Sequence, residues 1–232
     1  QSLNTISVEV LLDAGISNFI NIAKNLGISA DLPEYPSLAL GVASVSLKEM
    51  VEAYATIVND GRPVETRYLV EIADSDGKVL EKFNYTPADE SVVSAENCRA
   101  VINMMQAVIS DGTGTGIRTR FGIEGDFAGK TGTTQENSDG WFIGLTPNLV
   151  TGCWVGADDP RVHFRTITYG QGAFMALPIV GGFFSKAYSN PKFSNLKNSV
   201  FAPPEPELYA MLNTPQYKEI LDIEKREWNL AD

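Results

Sequence analysis

Asp126-Phe127-Ala128-Gly129-Lys130-Thr131-Gly132-Thr133-Thr134-Gln135, followed at once by Glu136-Asn137-Ser138-Asp139-Gly140 and Trp141-Phe142-Ile143-Gly144, is the stretch on which the reading of this chain turns. Thr131, Thr133 and Thr134 are β-branched and favour extended backbone. Gly129 and Gly132 leave out side chains where a ligand would approach the main chain. A polar turn then separates this segment from an aromatic run of strand type. The pattern predicts the edge strand of a β-hairpin carrying one cation, Lys130, a surface suited to an anionic, peptide-like ligand. A lone Lys-Thr-Gly triplet recurs readily on solvated hairpins, so its meaning has to come from the rest of the chain.

Downstream, Trp141 to Leu145, the turn Thr146-Pro147-Asn148, and Leu149 to Gly156 predict two further strands. Three successive strands with short turns make an antiparallel meander. Trp141, Phe142 and Trp154 read as core aromatics on neighbouring strands. Tyr169-Gly170-Gln171-Gly172 leads into an apolar helix from Met175 to Tyr188, with Pro178 near its start, where proline is tolerated. Upstream, Ser94 is predicted to cap a helix from about Ala95 to Ile109, with Val101, Met104, Met105 and Val108 on one face. The run Asp111 to Gly116 ends it as a flexible loop. Tyr68 to Ile72 and Lys78 to Phe83 flank a turn and predict a hairpin. Ser46-Leu47-Lys48-Glu49 is a capping box opening a helix through Val58, with Met50, Tyr54, Ile57 and Val58 inward. Asn4 to Leu26 fits two short helices broken at Gly15, the second closed by Gly27. Helices, then strands, then a helix give the α/β class, an antiparallel sheet flanked by helices.

The chain has 232 residues, 44% of them hydrophobic, enough for a real core. Its 29 acidic against 18 basic residues leave a net charge of −11, which disfavours nucleic acid or an anionic membrane surface as a partner. Cys98 and Cys153 read as small buried thiols rather than a disulfide, and with one histidine, His163, no metal cluster can be drawn. No apolar run reaches the length of about 18 residues that a membrane span needs, and no signal peptide is read at the N-terminus. The start at Gln1, without Met, reads as that of a cut fragment or processed product. Composition changes beyond Asn190. Residues 1–190 are therefore expected to form the main domain, and 191–232 a Pro-rich linker with a charged helix, Gln216 to Glu227, as a surface tail.

A phosphate loop is the rival reading of the opening stretch. Gly125 to Thr131 falls one residue short of that pattern, and Thr-Gly-Thr-Thr-Gln after Lys130 is a poor helix start where the motif needs one. Gly112 to Gly116 has no preceding strand. Nucleotide binding is set aside on both counts.

The chain resembles the C-terminal part of the transpeptidase domain of the bifunctional, class A penicillin-binding proteins. The resemblance spans about residues 2–188 and rests on pieces in a fixed order. These are Ser2-Leu3-Asn4 before a helix, Tyr35 to Gly41, Ala53-Tyr54-Ala55-Thr56, Gly112-Thr113-Gly114, Gly129 to Thr134, Asp139 to Gly144, Trp154-Val155-Gly156 with Asp158-Asp159-Pro160, and Ala176 to Ile179. The family carries a Ser-x-x-Lys nucleophile motif, then Ser-x-Asn, then Lys-Thr-Gly. Ser2 and Asn4 match the second and Lys130-Thr131-Gly132 the third. The first would lie upstream of Ser2 and is missing from these residues. Ser75 to Lys78 sits in a predicted turn, whereas Ser189 to Lys192 and Ser194 to Lys197 follow the Lys-Thr-Gly strand; all three read as chance.

What the resemblance implies is acyl transfer. A serine attacks the carbonyl of a D-Ala-D-Ala stem peptide, or the β-lactam that imitates it, and an amine on a neighbouring peptidoglycan strand resolves the acyl-enzyme. Ser2 would relay a proton, Asn4 would hold the substrate backbone, and Lys130 would supply a fixed charge behind Ser2. Thr131 and Thr133, with Gly132 between them, would bind the substrate carboxylate, and the Thr133 N–H would serve an oxyanion. No cofactor is implied, and the expected place is the extracytoplasmic side of the membrane, through an anchor outside these residues. The isolated chain is expected to be inactive, unless a second chain carries the N-terminal half. The alternative is a non-catalytic binding or scaffold module of the same fold.

Overall fold

The computed structural model of the chain describes residues 3–213. Helices α1 (Asn4–Ala14) and α2 (Ile16–Asn25) meet at a 90° bend at Gly15, whose φ of +84° suits a residue without a β-carbon. Their inner residues Leu11 and Ile20 pack with Ile28, Leu32, Leu38 and Ala53 into one apolar cluster. Among the described residues no single helix is long and apolar enough to cross a membrane.

Helix α3 (Leu47–Val58) opens with the expected capping box, Ser46 accepting from the Glu49 N–H while Glu49 reaches back to the Ser46 N–H. The other carboxylate oxygen of Glu49 accepts from the backbone N–H groups of Ser29 and Ala30, at 2.8 and 2.9 Å. One side chain thus caps α3 and ties the α2–α3 connection to it. Met50, Tyr54, Ile57 and Val58 pack against the sheet as expected. A second face of α3, which the apolar pattern did not reveal, buries Glu52, Ala53 and Thr56. Glu52 is satisfied there by Lys48 Nζ at 2.8 Å and by the N–H and hydroxyl of Thr66, each at 2.6 Å.

Strands β1 (Glu71–Ala73) and β2 (Val79–Lys82) form an exposed hairpin, as predicted though shorter. Helix α4 (Ala95–Ser110) is capped by the Ser94 hydroxyl but rotated from the predicted face. Cys98, Ile102, Met105 and Ile109 are buried, and Met104 is 51% exposed. The buried stripe is set by the sheet beneath, where Ile102 and Met105 meet Ala128, Ile143 and Leu145. Residues 111–116 are an ordered turn into α5 (Gly116–Thr119) rather than a flexible loop. Gly114 N–H donates to Val108 O at 3.0 Å, and a β-carbon on Gly112 would lie 2.8 Å from Val108 Cα.

Strands β3 (Ala128–Thr133), β4 (Asp139–Thr146) and β5 (Leu149–Gly156) form the predicted antiparallel meander in that order. Its register pairs Ala128 with Leu145, Thr133 with Gly140 and Asp139 with Gly156. Side-chain alternation then builds two cores. Phe142 joins Phe127, Ile117 and Cys153 on one face, under Leu177, Val180 and Phe184. Ile143 and Leu145 join the α3 and α4 side chains on the other. Of the three aromatics read as core, Phe142 is fully buried, whereas Trp154 is 40% exposed and donates its Nε1–H to Asp139 at 3.0 Å. Trp154 lies on the last strand of the described sheet, its ring 6.5 Å from that of its cross-strand partner Trp141. Cys98 and Cys153 are both buried and free.

Helices α6 (Ile167–Gly170) and α7 (Gly172–Met175) lead into α8 (Leu177–Ser189), with Pro178 in its first turn as expected. Beyond it, α9 (Ser194–Lys197) and α10 (Pro206–Leu212) follow. The supposed linker is anchored. Phe201 is buried among Ile102, Ala128 and Leu145, and its N–H donates to Asp126 at 2.8 Å. The helix expected from Gln216 to Glu227 lies outside the described residues.

The Ser29 hydroxyl first, then the Ser46 N–H and hydroxyl, hold the Glu49 carboxyl down from 4.5 to about 2. A lowered carboxylate pKa stabilises the fold fully above the ordinary value, and that stability disappears as the pH falls through the folded value. Glu49→Gln is expected to cost about 1–2 kcal/mol at neutral pH. Its deficit against the wild type should close between pH 4.5 and about 2, which thermal unfolding across that range checks.

Candidate active site

Lys130, Thr131, Gly132 and Thr133 are the last four residues of β3, which among the described residues pairs with β4 alone. At the hairpin end Thr134 N–H donates to Asp139 O at 3.3 Å. Backbone donors alternate along an antiparallel strand. The N–H groups of Thr133 and Thr131 therefore point away from β4, towards the outer edge. Over that edge Lys130 Nζ donates to Thr131 O at 2.8 Å. Burial pushes the Lys130 ammonium below its ordinary pKa. A cation and a row of backbone donors thus share one rim.

The same alternation puts Thr131 and Thr133 on the sheet face of Phe142, with Lys130 and Gly132 on the opposite face. The two threonines differ in access. Thr131 is buried, its Oγ1 2.6 Å from the Thr113 hydroxyl. Thr133 is exposed, and its Oγ1 accepts the Gly172 N–H at 3.0 Å. Helix α7 reaches this strand because position 172 has no side chain. A β-carbon there would lie 2.3 Å from Gly132 O and 2.4 Å from Trp141 O, contacts that backbone atoms cannot relieve.

The turn beyond Thr133 is braced as well. Glu136 and Asn137 take left-handed φ values of +62° and +57°, and Thr134 Oγ1 accepts the Asp139 N–H at 2.9 Å. Asn137 O accepts the Phe164 N–H at 3.4 Å, which ties the turn to the loop before α6. The strand continues through Thr133 with no helix after Lys130, which removes the phosphate-loop reading. Two cavities lie near by. One of about 230 Å³ is lined by Thr113, Thr115, Arg120, Gln171 and Phe174, and another of about 270 Å³ by Ser138, Val155, His163, Phe164 and Met175.

Of the residues singled out in the sequence, four are thus consecutive on β3. Asn4 is the exposed first residue of α1, and Ser2 lies outside the described residues. Ser75 and Lys78 lie in and just after the turn of the exposed β1–β2 hairpin, where Asp74 accepts from the N–H groups of Asp76 and Lys78. The other two Ser-x-x-Lys matches run from the end of α8 through α9. Thr113 was missed as a functional position, whereas Gly172 belongs to the Tyr169–Gly172 loop that the resemblance sets beside the Lys-Thr-Gly strand. The Gly-x-Gly spacing around Thr113 was its only local signal.

The penicillin binding protein transpeptidase domain, as a family model, matches residues 1–159. Penicillin-binding protein 1A of Aquifex aeolicus (strain VF5) is 34% identical over 178 residues, covering 77% of this chain and 23% of that protein. Penicillin-binding protein 1A of Rickettsia prowazekii (strain Madrid E) is 30% identical over 211 residues, covering 82% of this chain and 26% of its own length. The chain therefore spans about a quarter of the length of the curated relatives it matches. Among solved structures, penicillin-binding protein 1A from Haemophilus influenzae superposes with a TM-score of 0.77 at 26% identity, over 88% of this chain and 35% of that one. The PonA1 protein from Mycobacterium tuberculosis, in complex with penicillin V, shares the fold with a TM-score of 0.66 at 22% identity, over 85% of this chain and 56% of that one.

The contact between α7 and β3 predicts opposite outcomes for two glycines. Gly172→Ala should lower the melting temperature and any ligand binding at β3 together. Gly182→Ala, whose added methyl meets nothing within 4 Å, should be neutral or stabilise the helix by about 0.5–1 kcal/mol. Thermal unfolding of the two variants side by side checks this.

Proposed function

The chain belongs to the penicillin binding protein transpeptidase domain family, and from that premise we propose that its parent protein is a peptidoglycan D,D-transpeptidase of the bifunctional class A type. A serine Oγ outside these 232 residues attacks the penultimate D-Ala carbonyl, the terminal D-Ala leaves with a proton, and an ester joins serine to peptide. An amine of a neighbouring stem peptide then displaces the serine, forming the cross-link and restoring the hydroxyl. β-Lactams enter the first step and stall before the second.

The observation that carries this reading is the open rim of β3. An extended peptide adds to such an edge by main-chain hydrogen bonds. There the Thr133 N–H faces outward beside the Lys130 ammonium. In this scheme the Thr133 N–H stabilises the oxyanion, Gly132 lets the ligand approach the main chain, and the Thr131 and Thr133 hydroxyls receive the ligand carboxylate. Lys130 holds a fixed charge behind Ser2, which relays the proton, and Asn4 binds the ligand backbone. The donor and acceptor substrates are peptidoglycan stem peptides. The reaction takes place on the extracytoplasmic side of the membrane.

The full-length protein should be labelled covalently by a fluorescent penicillin, and Lys130→Ala should slow labelling by about a hundredfold or more. Residues 1–232 alone should stay unlabelled, because none of their Ser-x-x-Lys matches precedes β3 on a helix start. Labelling of the isolated chain would refute its dependence on a nucleophile from elsewhere. A full-length protein that resists labelling would point instead to a non-catalytic module.

A further inference from the structure

Thr113, which meets the Thr131 hydroxyl, and Gln171, which precedes the amide that bonds Thr133, line one and the same cavity of about 230 Å³. Arg120 is the one charged side chain among its lining residues, and no acid lines it. In a chain of net charge −11 this is a local reversal of sign. The guanidinium is held in place. Its central carbon lies 5.5 Å from the ring centroids of both Phe121 and Phe174, and Nη1 donates to Ala173 O at 3.3 Å. A guanidinium carries five N–H donors in a planar fork, so one bond to a carbonyl leaves donors arranged to grip a carboxylate with two bonds. The Thr115 hydroxyl adds a neutral donor to the same wall, while that of Thr119 donates to Thr115 O at 3.2 Å. Lys130 alternates to the other face of the strand, so on the threonine side the cation lining the cavity is Arg120.

We propose that this cavity is an anion subsite adjoining the groove, in which Arg120 joins the Thr131 and Thr133 hydroxyls in receiving the carboxylate of the peptide or β-lactam seated along β3. The inference rests on the acyl-transfer reading above and adds to it a residue that selects ligands. Arg120 takes no part in bond making. It favours ligands that carry a carboxylate over the same ligands without one.

The test uses the full-length protein and one penicillin in two forms, the free acid and its methyl ester, with the second-order acylation rate as readout. Arg120→Gln should slow acylation by the acid about tenfold or more, the loss expected when a hydrogen bond to a charged group disappears. Its rate with the ester should stay as in the wild type, and Arg120→Lys should recover part of the rate with the acid. Equal losses for acid and ester would assign Arg120 to holding Ala173 and α7 in place and overturn the proposal. So would unchanged rates with both. A wild-type protein acylated by neither form would refute the acyl-transfer reading itself, and the subsite with it.

Discussion

An antiparallel strand paired on one side leaves every second N–H and C=O facing outward, and the contacts around β3, which among the described residues pairs with β4 alone, leave that rim open. The strand cannot be left unsupported, because an uncovered edge invites pairing with any extended chain. Support comes from its faces instead. Helix α7 rests on the Gly132–Trp141 backbone through Gly172, the turn at 112–116 reaches Thr131 through Thr113, and α4 covers the opposite face. Each contact fixes the strand without filling its edge.

Those contacts are rigid because the layers behind them are. Phe127, Phe142, Leu177 and Phe184 fill one side of the sheet, with ring pairs such as Phe127–Phe184 at 4.9 Å. On the other side Phe201, brought in from well past the last main helix, closes the core against Ala128 at the start of β3. Polar groups do comparable work farther out. Glu49 gathers the backbone N–H groups of Ser29 and Ala30 and Glu52 accepts that of Thr66, so that two irregular segments are tied to one helix. Burial of the Glu52 carboxylate is tolerated because several donors meet it.

Local chemistry made much of this legible from the residues alone. The meander followed from β-branched and aromatic runs between polar turns, and the starts of α3 and α4 from Ser46 and Ser94, because strand period and helix caps are short-range properties. The run from Lys130 to Thr133 was legible for the same reason. What escaped depended on partners distant in sequence. The buried face of α4 is chosen by the sheet under it, so Met104 points outward despite its apolar side chain. Glu52 is buried because Thr66 and Lys48 satisfy it, and Trp154, on the last strand of the described sheet, is 40% exposed. Thr113 looked like a loop residue and Gly172 like part of a loop beside the strand; the bonds by which they hold the two threonines of β3 are visible only in the fold.

The most direct measurement is a crystal structure of the full-length protein after reaction with a penicillin. The account predicts a covalent adduct lying antiparallel along the outer edge of β3, with its ester carbonyl oxygen within hydrogen-bonding distance of the Thr133 N–H and its carboxylate on the Thr131–Thr133 side. An adduct whose carbonyl oxygen makes no contact with the Thr133 N–H, or a ligand seated away from β3, would contradict it.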